Sequence, residues 1–369
     1  MKIKNIFLGL FTLFTFAIQG QTPSKTSYYK IKAKHSNLYL DVAGQKTNNG
    51  ANIAQWQDTE KLKINNQKWL FVPVENEKNT YRIVAKHSGL CLDVTGQKTN
   101  NGANVAQWQF TGLDNQKWIL EAKGGQYYKI KSKPSGRYLD VTGQRIHNGD
   151  NVTLWQETGL DNQVWKLEAS DPITIIDEFS KNAKSPQKPK TNSKPEPVSE
   201  ITGIEWVSFL FVQDSSWDLP RKAINSPWYF LQETTDYIVE PNNWFDNYDS
   251  KQKINENYVI TTTMNQTKQK SLTESFNASF SAEASYGFGS ASGSTSISRD
   301  VFSSTTTQQG REETATKPLV VSPCTFYAIY TVYKTITLTR MDGSIVSSWR
   351  KADGEKRVTL TNPNCIPKS

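Results

Sequence analysis

Residues 81–109 read YRIVAKHSGLCLDVTGQKTNNGANVAQWQ, and the chain writes almost the same sentence twice more. Residues 28–57 read YYKIKAKHSNLYLDVAGQKTNNGANIAQWQ, and residues 127–156 read YYKIKSKPSGRYLDVTGQRIHNGDNVTLWQ. Each copy runs on to a closing tryptophan, through INNQKW at Trp69, LDNQKW at Trp118 and LDNQVW at Trp165. Within a copy, apolar residues alternate in the opening stretch (Tyr29 and Ile31, Tyr128 and Ile130), which is the period of a half-buried strand. A second short strand follows, as in Leu38, Leu40 and Val42. Then comes an Asn-Gly turn (Asn49-Gly50, Asn101-Gly102, Asn148-Gly149), a hairpin signal because glycine accepts positive φ. A third strand carries the Gln-Trp or Leu-Trp pair. No unit of this size buries its own apolar face, whereas three around a pseudo-threefold axis do. The pattern stops after the third copy, which predicts closure rather than an open solenoid.

The closing Gln-x-Trp, preceded by LDVxG, resembles the ricin-type lectins and the related carbohydrate-binding modules of bacterial glycosidases. The resemblance covers about 28–169 and implies a β-trefoil with one sugar pocket per repeat. Carried over residue by residue, the pockets comprise Asp41, Trp56, Asn66 and Gln67; Asp93, Trp108, Asn115 and Gln116; and Asp140, Trp155, Asn162 and Gln163. The implied roles follow from sugar chemistry. An indole stacks on the apolar face of a pyranose, and an ionised carboxylate and an amide hydrogen-bond its hydroxyls. The Gln braces the Asp. The closing Trp69, Trp118 and Trp165 read as core. Galactose or N-acetylgalactosamine on cell-surface glycans is the ligand class the family implies. Two positions before each stacking Trp, where galactose-preferring members often carry a polar residue, stand Ala54, Ala106 and Thr153.

Residues 1–20 read as a secretory signal peptide: Lys2 and Lys4, a short apolar run, then small and polar residues. Export is the expected localisation. The three cysteines are Cys91, Cys324 and Cys365. Cys324 and Cys365 share a domain and can pair; Cys91, between Leu90 and Leu92, reads as buried filler. No Cys/His cluster suggests a metal, and no cofactor is implied. The net charge of +8 reads as solvated surface and linker, with no nucleic-acid partner expected.

Residues 170–200 read as a linker, and within them SKNAKSPQKPKTNSKPEPVSE interleaves prolines with lysines. Such a spacer is extended, and at ~3.1 Å per residue it could hold two domains tens of ångströms apart.

The second domain spans 201–369. It opens with aromatic segments around Trp206, Trp217, Trp228 and Trp244. Later, SLTESFNASFSAEASYGFGSASGSTSISRDVFSSTTT alternates in twos. Leu272, Phe276, Phe280, Tyr286 and Phe288 fall on one face, and Ser, Thr and Asn on the other. This predicts a long hairpin suited to a transmembrane barrel wall, apolar outside and polar inside. Together with the VVSP turn and the TVYK strand after it, the order resembles the pore-forming module of aerolysin-like toxins. That resemblance implies homo-oligomerisation on a target membrane and insertion of this hairpin. The expected architecture is therefore all-β: a trefoil, a linker and an elongated β-sheet domain.

An enzyme is the rival class. The acids Glu233, Asp236, Glu240, Asp246 and Asp249 form no recognisable glycosidase pair. The second half has no histidine, and no Glu-x-Glu follows Ser294-Thr295-Ser296 as an ADP-ribosylating site requires. The expectation is a non-enzyme. A non-toxic adhesin, or a binding module attached to an unrecognised hydrolase, stay as alternatives.

Overall fold

The structure is a computed structural model and describes residues 22–74, 77–173, 195–214, 227–261, 274–275, 278, 280, 288–290 and 314–367. The chain is all-β. The first repeat supplies β1 (Ser27–Ala33), β2 (Tyr39–Val42), β3 (Ile53–Trp56) and β4 (Lys68–Pro73). The second supplies β5 (Thr80–Ala85), β6 (Cys91–Val94), β7 (Val105–Trp108) and β8 (Trp118–Gly124). The third supplies β9 (Tyr127–Ser132), β10 (Tyr138–Val141), β11 (Val152–Trp155) and β12 (Trp165–Pro172).

The first and fourth strands of every repeat close a barrel. β1 pairs with β4, β4 with β5, β5 with β8, β8 with β9, β9 with β12, and β12 returns to β1. A closed ring leaves no unpaired edge. The hairpins β2–β3, β6–β7 and β10–β11 cap one end. Trp69, Trp118 and Trp165 fill the interior with no exposed surface. Each indole N–H donates to a backbone carbonyl of its own repeat, Leu40 O at 3.1 Å, Leu92 O at 2.9 Å and Leu139 O at 3.0 Å. Burying an indole therefore leaves no orphaned donor. Asn52, Asn104 and Asn151 join the caps in a ring. Asn52 donates to Asn151 at 2.8 Å, Asn151 to Asn104 at 3.0 Å and Asn104 to Asn52 at 3.0 Å.

The second half contains β13 (Val198–Ser208), β14 (Trp228–Asn247), β15 (Ile254–Thr261), β16 (Phe288–Ser290), β17 (Thr314–Val321), β18 (Thr325–Arg340) and β19 (Ile345–Thr361). Five of these form an antiparallel sheet in the order β16-β13-β14-β18-β19. β14 and β18, of 20 and 16 residues, extend for ~50–65 Å at about 3.3 Å per residue. β15 and β17 form a separate two-stranded ladder. A disulfide joins Cys324, in the turn before β18, to Cys365 in the tail after β19. Asp214 anchors the sheet end nearest the trefoil. It accepts from Arg340 at 2.9 and 3.1 Å and from the Tyr229 hydroxyl at 3.0 Å, all buried.

Two expectations are corrected here. The linker does not hold the halves apart. Tyr28, Leu70, Val84 and Cys91 of the trefoil share one hydrophobic cluster with Phe209, Phe211, Trp228 and Trp349. Phe110 meets Phe211 edge-on at 5.2 Å, with the Arg82 guanidinium over both rings. The Trp228 indole donates to Lys25 O at 2.8 Å. Apolar surface on both sides outweighs the reach of the spacer, because burial stabilises contact and the long loop adds little entropy cost. β12 and β13 also run into the two ends of the 170–200 segment, at Pro172 and Val198.

The second correction concerns the alternating segment. Glu274, Ser275 and Ala278 are helical rather than extended. A strand needs a partner for its backbone groups, whereas a helix satisfies them internally. Phe280 is not on a free apolar face. It is 8% exposed, makes an isolated bridge with Val212 and packs on Trp349. Phe288 lies in β16 opposite Val207 of β13. Leu272, Phe276 and Tyr286 lie outside the described residues.

Candidate functional site

Each cap hairpin builds the same pocket. Tyr39 pairs with Trp56 and Asp41 with Ala54, so all four side chains share one face. Leu40, Val42, Ile53 and Gln55 take the other face and are fully buried. The register repeats at Cys91 with Trp108 and Asp93 with Ala106, then at Tyr138 with Trp155 and Asp140 with Thr153. Asp and Trp are thus set on adjacent strands of a rigid hairpin. The closing turn of each repeat then brings in the Asn and Gln beneath the Asp.

The twelve sequence-derived residues converge as three groups of four. Asn66 donates to Asp41 Oδ2 at 2.8 Å and Gln67 to the same oxygen at 2.9 Å. Asn115 and Gln116 do so to Asp93 Oδ2, both at 2.9 Å. Asn162 and Gln163 reach Asp140 Oδ2 at 3.0 and 2.9 Å. Every Gln is saturated. In the first pocket its second N–H goes to Gln57 O at 2.8 Å, and its Oε1 accepts from Thr59 N at 3.1 Å. It is a brace. The Asn is committed too, since its second N–H goes to Val42 O at 3.0 Å in the first pocket, with equivalents at Val94 and Val141. Its carbonyl Oδ1 is buried without a partner in all three repeats. Among the described residues, Oδ1 of each Asp takes no hydrogen bond either. Each pocket therefore offers acceptors and spends its amide donors internally.

Burial raises the Asp41 and Asp93 carboxyls to about 6. The amide donors pull the other way and lose to desolvation. Asp140 is also raised by burial, opposed by its amide partners and by the charge of His35.

Trp56, Trp108 and Trp155 are 40%, 38% and 38% exposed, unlike the three closing tryptophans. Their inner edges rest on the neighbouring repeat. A Cβ at Gly149 would stand 3.4 Å from the Trp56 ring, and one at Gly50 would stand 3.5 Å from Trp108. Both glycines also have positive φ, so the Asn-Gly turn and the indole wall constrain each other. The amide of the preceding Asn clamps the residue after each Trp; Gln109 N donates to Asn49 Oδ1 at 2.7 Å. This cross-repeat support and the asparagine ring were missed in the sequence. Their signal was there, since Asn52, Asn104 and Asn151 occupy the same place in every copy. The third pocket differs by a hydroxyl: Thr153 stands opposite Asp140 and contacts Thr142 at 3.1 Å.

The Ricin-type beta-trefoil lectin domain-like family matches residues 12–108 and 114–181. The N-terminal half is a β-trefoil similar to the ricin-type lectin domains. Its repeats are similar to a designed threefold-symmetric protein, ThreeFoil, at 41% identity over 38% of this chain and 96% of that one, with a TM-score of 0.36. An exo-β-1,3-galactanase from Clostridium thermocellum matches at 33% identity, over 41% of this chain and 31% of its own, with a TM-score of 0.38. Cry35Ab1 extends the likeness to the whole architecture. It covers 91% of this chain and 90% of its own at a TM-score of 0.54 and 15% identity, so trefoil and sheet domain share its fold. No curated protein matches the sequence.

Proposed function

We propose that the trefoil binds sugars through the three pockets and targets the chain, after export, to glycan-bearing surfaces. The observation that carries this reading is the threefold repetition of one unsatisfied acceptor set. An Asp Oδ1 that takes no protein hydrogen bond stands beside a half-exposed indole, above a buried Asn Oδ1 that also lacks a donor. Sugar hydroxyls would donate to the Asp oxygen while the ring's apolar face stacks on the indole. Galactose or N-acetylgalactosamine is the first class to test. A glycan array with wild type and with Asp93→Ala, Trp108→Ala tests it; unchanged signal would make the second pocket structural only.

For the second half, pore formation by a membrane-bound homo-oligomer is the reading we favour over a plain adhesin. β15 and β17 form an antiparallel stem whose last pair is Thr261 with Thr314. The alternating Ser/Thr-rich segment is the chain between them. A stem that already fixes both ends of such a segment is suited to extending into a closed barrel, which lipid requires. Helical Glu274 and Ser275 and buried Phe280 would then belong to the state before insertion. No catalytic activity is proposed. Dye release from glycan-bearing liposomes should occur with wild type and fall with Leu272→Asp, Phe276→Asp. Equal leakage from both would remove the hairpin, and agglutination without leakage would favour the adhesin.

A further inference from the structure

The trefoil has three equivalent junctions between repeats, each marked by one backbone hydrogen bond. Lys86 N donates to Lys68 O at 2.8 Å, Lys133 N to Lys117 O at 3.0 Å and Lys34 N to Val164 O at 2.9 Å. In the first junction the two lysine side chains converge on one carboxylate, Asp171. Lys68 reaches it at 2.9 Å, and Lys86 also bonds it. Its carboxyl is held down to about 2 by the two ammoniums. In the second, Lys117 and Lys133 converge on Glu77 at 3.1 and 2.7 Å, which lowers its pKa as well. Asp171 lies at the end of β12 and Glu77 in the loop after β4, so both follow the fourth strand of a repeat, six and eight residues beyond its closing Trp. The matching stretch after Trp118, residues 123–126, reads KGGQ and offers no carboxylate.

The third junction has no such insert. Val164 stands where the second lysine would be, and the space is an open cavity of about 260 Å³. That lies just below the ~300–1,000 Å³ of drug-sized pockets, which suits one sugar ring rather than a longer ligand. Lys34, Lys123 and Lys129 line it with Glu157 and Asp161, so ammoniums outnumber carboxylates. Lys34 bonds Asp161 at 2.9 Å, and Lys129 bonds Glu157 at 2.6 Å. The Lys129 side chain is 3% exposed, whereas both acids are more than half exposed at the rim. Lys123 is exposed and close enough to Glu157 to help lower its pKa. Tyr127 supplies an aromatic wall, with the Lys34 ammonium 5.9 Å from its ring centre.

We propose that this cavity is a fourth saccharide site, specific for a sugar that carries a carboxylate, such as a uronate or a sialate. Lys34 and Lys123 take the carboxylate, as the paired lysines take Asp171 and Glu77 in the sister junctions. The ring lies on Tyr127 and Val164. The site uses none of the twelve pocket residues, so it stands or falls apart from the three-pocket reading.

Backbone NMR spectra of the full chain, titrated with D-glucuronate, D-glucose or acetate, test this. Glucuronate should give saturable shifts at Lys34, Lys123, Tyr127 and Gly159. Lys123→Glu, at an exposed position, should weaken them at least tenfold. The triple change Asp41→Asn, Asp93→Asn, Asp140→Asn should leave them in place. No saturable shift, an equal response to glucose or to acetate, or loss of the shifts only in the triple variant would overturn the proposal.

Discussion

The trefoil and the sheet domain are both antiparallel β structures, yet they are stabilised in different ways. The trefoil states each device three times: a buried indole bonded to a carbonyl, a braced Asp, a Gly under a neighbour's Trp. The sheet domain states each device once, as with Asp214 between Arg340 and Tyr229, or the Cys324–Cys365 bond. Repetition makes a fold self-checking, because a role assigned in one copy must hold in the others. A single-copy domain offers no such check, and one end of its sheet packs on the trefoil.

Breaking a device on each side should sharpen this contrast. Trp118→Ala removes a fully buried indole and should cost about 3–5 kcal/mol. The trefoil should melt well below wild type in calorimetry. Asp214→Ala leaves the Arg340 charge buried and unpaired, at a cost in the same range of ~3–5 kcal/mol. Its loss should lower the melting temperature of the chain and leave trefoil sugar binding intact. Phe211→Ala removes the ring packed on Phe110 and Arg82. For a buried phenylalanine we expect about 3 kcal/mol or more, and a single thermal transition should split in two as the halves uncouple. A single sharp transition in that variant would mean that the shared cluster does not couple them.

The smallest effect concerns pH. Asp41 and Asp93 titrate near 6 in the fold against a usual value of 3.8. Their folded pKa is raised, so they favour the folded state at low pH and lose that contribution as pH rises through 4 to 6. Sugar binding runs the opposite way, since only the ionised carboxylate is a pure acceptor. Affinity should be full above pH 7 and decline several-fold as pH falls through about 6. Flat affinity from pH 7.5 to 5 would assign the sugar contact to groups other than these carboxylates.

The trefoil was legible because Gln-x-Trp, LDVxG and Asn-Gly recur at matching places. The pocket residues were legible for the same reason. The direction of the Asn amide was not, since only the fold shows that Val42 O and Asp41 claim both its hydrogens. The docking of the halves was hidden as well. Cys91 read as buried filler, and nothing in the alternation around it, Leu70 or Val84 says that these side chains meet Phe209 and Trp228. The alternating segment misled for a physical reason. Its period suits a strand with one free apolar face, whereas in the fold Phe280 is buried against Trp349.

The most direct measurement is a glycan array read with wild type beside the triple change Asp41→Asn, Asp93→Asn, Asp140→Asn. The amide is close in shape to the acid and lacks its charge. We expect neutral-sugar signals to drop at least tenfold, about 1.4 kcal/mol per site engaged, while the trefoil melts within a few degrees of wild type. Undiminished signals across the neutral glycans would contradict the assignment of these carboxylates as the sugar-binding acceptors.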